Sequence, residues 1–271
     1  MISINRTTLL LCFTLLPFFC SDVGAQALVA EVELVKHLSA GVNNSDMSVA
    51  KASVQMLKKL STSGGDIKPF AQIELRAFKS RAEQWIKSLS LKKTGGEIVG
   101  KTPDRNPLKE KELAFVDMKV DPSKLIYLEA FDNLQILSFV NVEGLNDSDL
   151  AILNGLDSLR SLTFESTPIT GSGFRRVALP NLATLFLTNS LITDEGLKGL
   201  SRAKLPSLLV VYLSHTKVTN DGINVLSGLE ELRQVDVKGT DVTKAGAEKL
   251  DQTIKRNIQN PRTVKTGVIT D

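Results

Sequence analysis

Apolar residues recur in a fixed order along the second half of the chain. A phrase with apolar first, fourth and sixth places starts at Leu134, Leu159, Leu182, Leu208 and Leu232, so successive copies lie 25, 23, 26 and 24 residues apart. Leu208, Val211 and Leu213 fill those places in one copy, Leu159, Leu162 and Phe164 in another. Alternation of this kind turns the apolar side chains to the inside of a short strand and the intervening ones to its outer face. A small hydroxyl residue follows (Thr167, Ser190, Thr216, Thr240), placed to satisfy buried backbone groups in a turn. Next come an aliphatic (Ile169, Ile192, Val218, Val242) and a threonine (Thr170, Thr193, Thr219, Thr243) positioned to cap a helix. The helix itself is short and one-sided: Ile223, Leu226 and Leu229 sit three apart and face the strand layer. One such unit cannot bury its own apolar side. The period therefore predicts stacked units, an α/β solenoid with a parallel β-sheet on its concave face.

The ends of this region, residues 112–250, depart from the pattern. In the copy at Leu134, Val142 stands at the hydroxyl place and an extra residue precedes Leu145. Upstream, Leu113 to Met118 reads as a degenerate first strand and Ser123 to Phe131 as its helix, since terminal units must close the core. Residues 251–271 read as a cap helix, running from Asp251 to Gln259 and stopped by Pro261, followed by a tail without apolar periodicity.

A different period rules residues 28–93. Leu28, Val32, Val35 and Leu38 form one helical stripe ending at Gly41; Val49, Ser53, Met56, Leu57 and Leu60 form a second; Leu75, Phe78, Ala82, Trp85, Ile86 and Leu89 form a third. This predicts a small α-helical N-terminal domain. Residues 94–111, rich in Gly, Pro and charge, are its linker. Before it, Arg6, the apolar run Thr7 to Phe19 and small residues around Ala25 and Ala27 have the form of a signal peptide over residues 1–27, and the expected location is secreted or periplasmic. The apolar run is too short to span a membrane comfortably. Cys12 and Cys20 both lie inside the signal peptide over residues 1–27, so the processed chain has no thiol for a disulfide, a thiolate metal site or a nucleophile.

Charge changes sign along the chain. Residues 28–112 carry 15 Lys and Arg against 10 Asp and Glu, whereas residues 113–250 carry 13 against 17, a net −4. The whole chain is +3, too little for a dedicated nucleic-acid binder. With two histidines in all, no metal or cofactor is expected. Gly95 to Thr102 matches the nucleotide P-loop letter for letter, but that chemistry needs a strand before and a helix after, and Pro103 and Pro107 break the exit. It reads as linker. The bases Lys79, Arg81, Lys87, Lys92 and Lys93 fall mostly off the apolar stripe and read as a solvated face, and Trp85 reads as core.

The outward residues of neighbouring strands should align in columns. One is expected to run Asp117, Ser138, Thr163, Phe186, Tyr212, Asp236; its neighbours run Phe115, Ile136, Ser161, Thr184, Val210, Gln234 and Lys119, Val140, Glu165, Thr188, Ser214, Lys238. Phe186 and Tyr212 on adjacent strands, surrounded by Val210, Glu165, Thr188, His215, Asp236 and Lys238, have the make-up of an interface hot spot. A protein ligand bound on this wall by a monomer, without catalysis, is the function expected. Two alternatives stand beside it: a hydrolase using His215 with Ser214 and Asp236, though no oxyanion donor is apparent, and a structural envelope component.

Ile192 to Leu197 and Val218 to Ile223 resemble leucine-rich repeats of the kind found in secreted bacterial proteins, similar in length to those of ribonuclease inhibitor and of F-box proteins. The resemblance covers about half of the chain, from Leu113 to Leu250. It implies protein recognition in general and no transferable catalytic set. The chain uses Thr or Ser where the cysteine-containing form has Cys, and it contains neither an F-box nor a haem-attachment motif.

Overall fold

The protein is described by a computed structural model, which covers residues 23–44, 46–89, 106–257 and 267–270. Most of the signal segment, the P-loop-like run Gly95 to Thr102 and Pro261 lie outside the described residues. The chain divides into two compact units between Phe78 and Lys79.

The first unit holds α1 (Val23–Val42), α2 (Met47–Thr62) and the first half of α3 (Lys68–Leu89). Asp46 caps α2 by accepting a hydrogen bond from the Ser48 N–H at 2.8 Å. Val32, Val35, Val54, Leu57, Ala71 and Phe78 are buried. Two details differ from expectation. Helix α1 does not stop at Gly41 but runs to Val42, and Gly41 serves close packing instead: a Cβ there would sit 2.1 Å from Ser53 Oγ. The buried stripe of α2 is Ala50, Ser53, Val54, Leu57 and Ser61, which leaves Val49 and Met56 each 42% exposed. Small residues at Ala50, Ser53 and Ser61 let neighbouring backbone approach. Close packing on these positions outweighs the burial of the larger Met56.

The second unit is built on a seven-stranded, all-parallel sheet in strict sequence order, β1 to β7. The strands are β1 (Glu112–Lys119), β2 (Ile136–Glu143), β3 (Ser161–Glu165), β4 (Thr184–Phe186), β5 (Val210–Tyr212), β6 (Gln234–Asp236) and β7 (Gly267–Ile269). In-register partners carry the core: Leu113, Leu137, Leu162, Leu185, Val211 and Val235 occupy one line of neighbouring strands and are all fully buried. A second inward line begins Phe115, Phe139, Phe164 and stacks ring on ring at 5.0 and 5.3 Å. Trp85, in the half of α3 that belongs to this unit, closes the stack 6.0 Å from Phe115 and 5.6 Å from Tyr127. Burial of the first-strand edge thus comes from α3. The start of β1 is closed by Pro107–Lys109, a 3₁₀ turn with Leu108 buried, so that part of the expected linker is core.

Between strands the chain returns through short helical segments. The early ones are 3₁₀ (Pro122–Ala130, Asp147–Leu153, Ser172–Arg176); later ones are α4 (Asp194–Leu197), α5 (Asn220–Val225) and the longer α6 (Lys244–Asn257). Thr193, Thr219 and Thr243 accept hydrogen bonds from the N–H groups of Gly196, Asp221 and Gly246 and so cap their helices. Thr170 does not: the helical turn Ser172–Arg176 starts one residue later, with Gly171 at its N-cap, and the Thr170 hydroxyl donates to Asp147. The hydroxyl places behave as expected at Ser190, Thr216 and Thr240, each donating to the carbonyl three residues back, but not at Thr167, whose buried hydroxyl makes no hydrogen bond among the described residues. The stretch expected to be a tail supplies β7, paired to β6 from Gln234–Gly267 to Asp236–Ile269. Three residues are too few to show a period. Among the described residues no helix is long and apolar enough to cross a membrane.

A side-chain relay ties the helical returns together. Asp147 accepts from the Thr170 N–H and hydroxyl and from the N–H groups of Gly171 and Gly173, at 2.8–3.0 Å. Asp194 accepts in the same way from Thr219 one unit on, and Asn220 from Thr243. Burial pushes the Asp147 carboxyl up, but the hydrogen bonds from Gly173, Thr170 and Gly171 outweigh it and hold the group below the ordinary aspartate range. Since folding lowers this pKa, the stabilisation is present near neutrality and is lost as pH falls through the folded value. Two residues on, burial raises the Asp149 carboxyl despite the hydrogen bond it accepts from the Asn146 N–H, an opposing contribution common to parent and variant. Asp147→Asn should therefore unfold at lower urea concentration than the parent near neutrality, with the gap closing in strong acid. An equal gap at both pH values would contradict this role.

Candidate functional site

The outer face of the sheet carries the side chains that alternate with the buried ones. Register places Ala114, Ser138, Thr163, Phe186, Tyr212, Asp236 and Ile269 in one column. A second column runs Glu112, Ile136, Ser161, Thr184, Val210, Gln234, and a third begins Val116, Val140, Glu165. From β2 onward these are the expected columns. The first strand is different: Asp117, Phe115 and Lys119 do not stand where expected, because β1 pairs three residues away from the assumed register. An odd shift exchanges the two faces of a strand, and it turns Phe115 inward, where its ring joins the buried stack.

Phe186 and Tyr212 stack face to face, with ring centroids 4.5 Å apart and planes 1° from parallel. Both are half-buried. Strand spacing of about 4.8 Å dictates this, since identical places on adjacent strands hold their side chains at ring-stacking distance. Val210 and Asp236 lie on the same face, Val210 two residues before Tyr212 and Asp236 directly beside it in register. The Asp236 carboxylate accepts from the Lys238 N–H at 3.1 Å, which fixes it at the end of β6. Glu165 and Thr188 flank Phe186, and Lys238 stands exposed just past β6.

His215 belongs to a different feature. Asp117, Asn141, Ser166, Asn189 and His215 all have left-handed backbone, with φ between 50° and 58°, and Gly239 continues the line at 62°. Asp117 and Asn141 interrupt β1 and β2 near their ends, whereas Ser166, Asn189 and His215 lie just past β3, β4 and β5, and the last three donate their N–H groups to the next repeat: Ser166 to the Thr188 carbonyl, Asn189 to that of Ser214, His215 to that of Lys238. Asp, Asn and His tolerate this conformation better than most residues and Gly best, so the column selects them for backbone reasons. A Cβ at Gly239 would lie 2.3 Å from His215 Nδ1, so the ring rests over the next turn. Among the described residues no hydrogen bond joins Ser214, His215 and Asp236. Alignment of Asp117, Asn141, Asn189, His215 and Gly239 was the signal that would have found this column.

No protein-family model matches the chain, and no curated protein matches it significantly. Seven of the eight expected contact residues therefore lie on or at the end of one sheet face, with His215 serving the turn column. Along that column a trough of about 540 Å³ is lined by Asn141, Ser166, Asn189 and the exposed Leu191. It adjoins the sheet face without sharing the aromatic pair.

Proposed function

We propose that this is an exported, non-enzymatic leucine-rich repeat protein that recognises a protein partner through the outer face of its sheet. The observation that carries the reading is the parallel Phe186–Tyr212 stack, half-exposed among small and polar neighbours, on a sheet whose in-register lines repeat from unit to unit. Curvature supports it as well. Strands stack about 4.8 Å apart whereas packed helices need 8–10 Å, so a layer of strands backed by helices bends with the strands inside. Two aromatic rings on a concave wall supply apolar contact area at little entropic cost, and the surrounding hydroxyls and carboxylates supply orientation.

The test is capture of the native partner by the exported protein. Tyr212→Ala should weaken capture by roughly tenfold or more, the scale of an interface hot spot, while the melting temperature changes little because the ring is only half-buried. Unchanged capture would count against the reading.

A further inference from the structure

We propose that the face beside Phe186 is a slot for an arginine side chain of the partner protein. This rests on the reading of the sheet face as a recognition surface. Tyr212 covers one face of the Phe186 ring. On the other side the in-register neighbour is Thr163, followed by Ser138 and Ala114. These side chains stop short of the height of a phenyl ring, so its second face stands over a floor of small residues. The floor is bordered by Ile136 and Ser161 on one side and by Val140 and Glu165 on the other.

Glu165 decides what fits. It lies on the same face as Thr163, two residues or about 6.6 Å along the strand. It has no hydrogen-bonding or ionic partner among the described residues, and it is half-buried. A neutral aromatic or aliphatic side chain in the slot would cover this carboxylate without pairing it, which is costly. A cation there pairs with it. The slot is also flat: a group above Thr163 lies about one strand spacing, 4.8 Å, from the Phe186 ring, inside the ~6 Å reach of a cation–π contact. A guanidinium is planar, stacks on aromatic faces, and offers a carboxylate two parallel N–H donors, whereas an ammonium keeps its water more tightly. Charge over the wider surface agrees. Residues 113–250 are net −4, and the three in-register columns of the face carry Glu165 and Asp236 and, among the described residues, no Lys or Arg.

The experiment titrates the full chain with N-acetyl-arginine methylamide, and with the citrulline analogue, which has the same shape and no charge, following the NMR signals of Thr163, Glu165 and Phe186. The arginine probe should shift all three and saturate in the millimolar range, and the citrulline probe should not. Glu165→Gln should weaken the arginine probe by about tenfold, the scale of one charge-assisted pair. Thr163→Tyr, which fills the slot with a ring of its own, should abolish the shifts while the far-ultraviolet circular dichroism stays that of the parent. Equal binding of both probes, or an arginine titration unmoved by Glu165→Gln, would overturn the proposal. Loss of partner capture in Tyr212→Ala together with no arginine binding would sink the slot and leave the recognition face standing.

Discussion

Phe139→Ala should destabilise the protein more than any other single truncation on the sheet, by about 3–5 kcal/mol. Phe139 is fully enclosed and lies between Phe115 at 5.0 Å and Phe164 at 5.3 Å, so its removal opens a cavity that two rings on either side cannot both fill. For a unit of this size such a loss lowers the melting temperature by on the order of 10 °C. Trp85, the single tryptophan of the chain, touches Phe115 at the end of the same stack and reports the change through its emission. Phe186→Ala removes the same atoms from the half-exposed face, and should cost well under half as much because that site can be filled by water. Equal losses for the two variants would mean that the rings assigned to core and to surface do not differ in burial.

The second large effect is expected at a glycine. A Cβ on Gly196 would lie 2.0 Å from the Thr170 carbonyl oxygen and 3.0 Å from the Gly171 Cα, so α4 rests directly on the backbone of the preceding unit. Neither neighbour is a flexible side chain that can swing aside. Gly196→Ala must therefore push two units apart, and should cost roughly 3 kcal/mol, at the upper end for overpacked sites. Gly228→Ala is the control, since nothing lies within 4 Å of a Cβ there, and it should fall within about 0.5 kcal/mol of the parent. Urea unfolding of the pair measures both. A neutral Gly196→Ala would show that the helical returns are not in backbone contact.

Much of this architecture is legible in the chain because its period is set by geometry. Leu162, Leu185 and Val211 recur at the fourth place of the phrase since each must fill the same position on the next strand, and they do so in register. The aromatic pair follows from the same spacing. The first strand was not legible: Leu113 to Met118 carries apolar residues on both faces, so Leu113 and Phe115 inside and Val116 outside are indistinguishable until register is known. β7 escaped for lack of length. The left-handed column escaped for another reason, since single turn residues such as Asn189 and His215 show no hydrophobic period and become visible only when units are superimposed. His215 then has a backbone role where chemistry had been entertained. Val49 and Met56 illustrate a third limit: a stripe weighted toward large apolar residues misses small ones such as Ala50 and Ser61, whereas Ser53, which it did include, is buried in α2 against Gly41.

Whether the sheet face binds the proposed protein partner is tested most directly by placing a photoreactive phenylalanine at position 212, in the middle of that face, and another at position 224, exposed on α5 of the helical side. Illumination with the partner bound should give a covalent adduct from position 212 and none from position 224. Adducts from position 224 alone would put the contact on the helices and contradict the account.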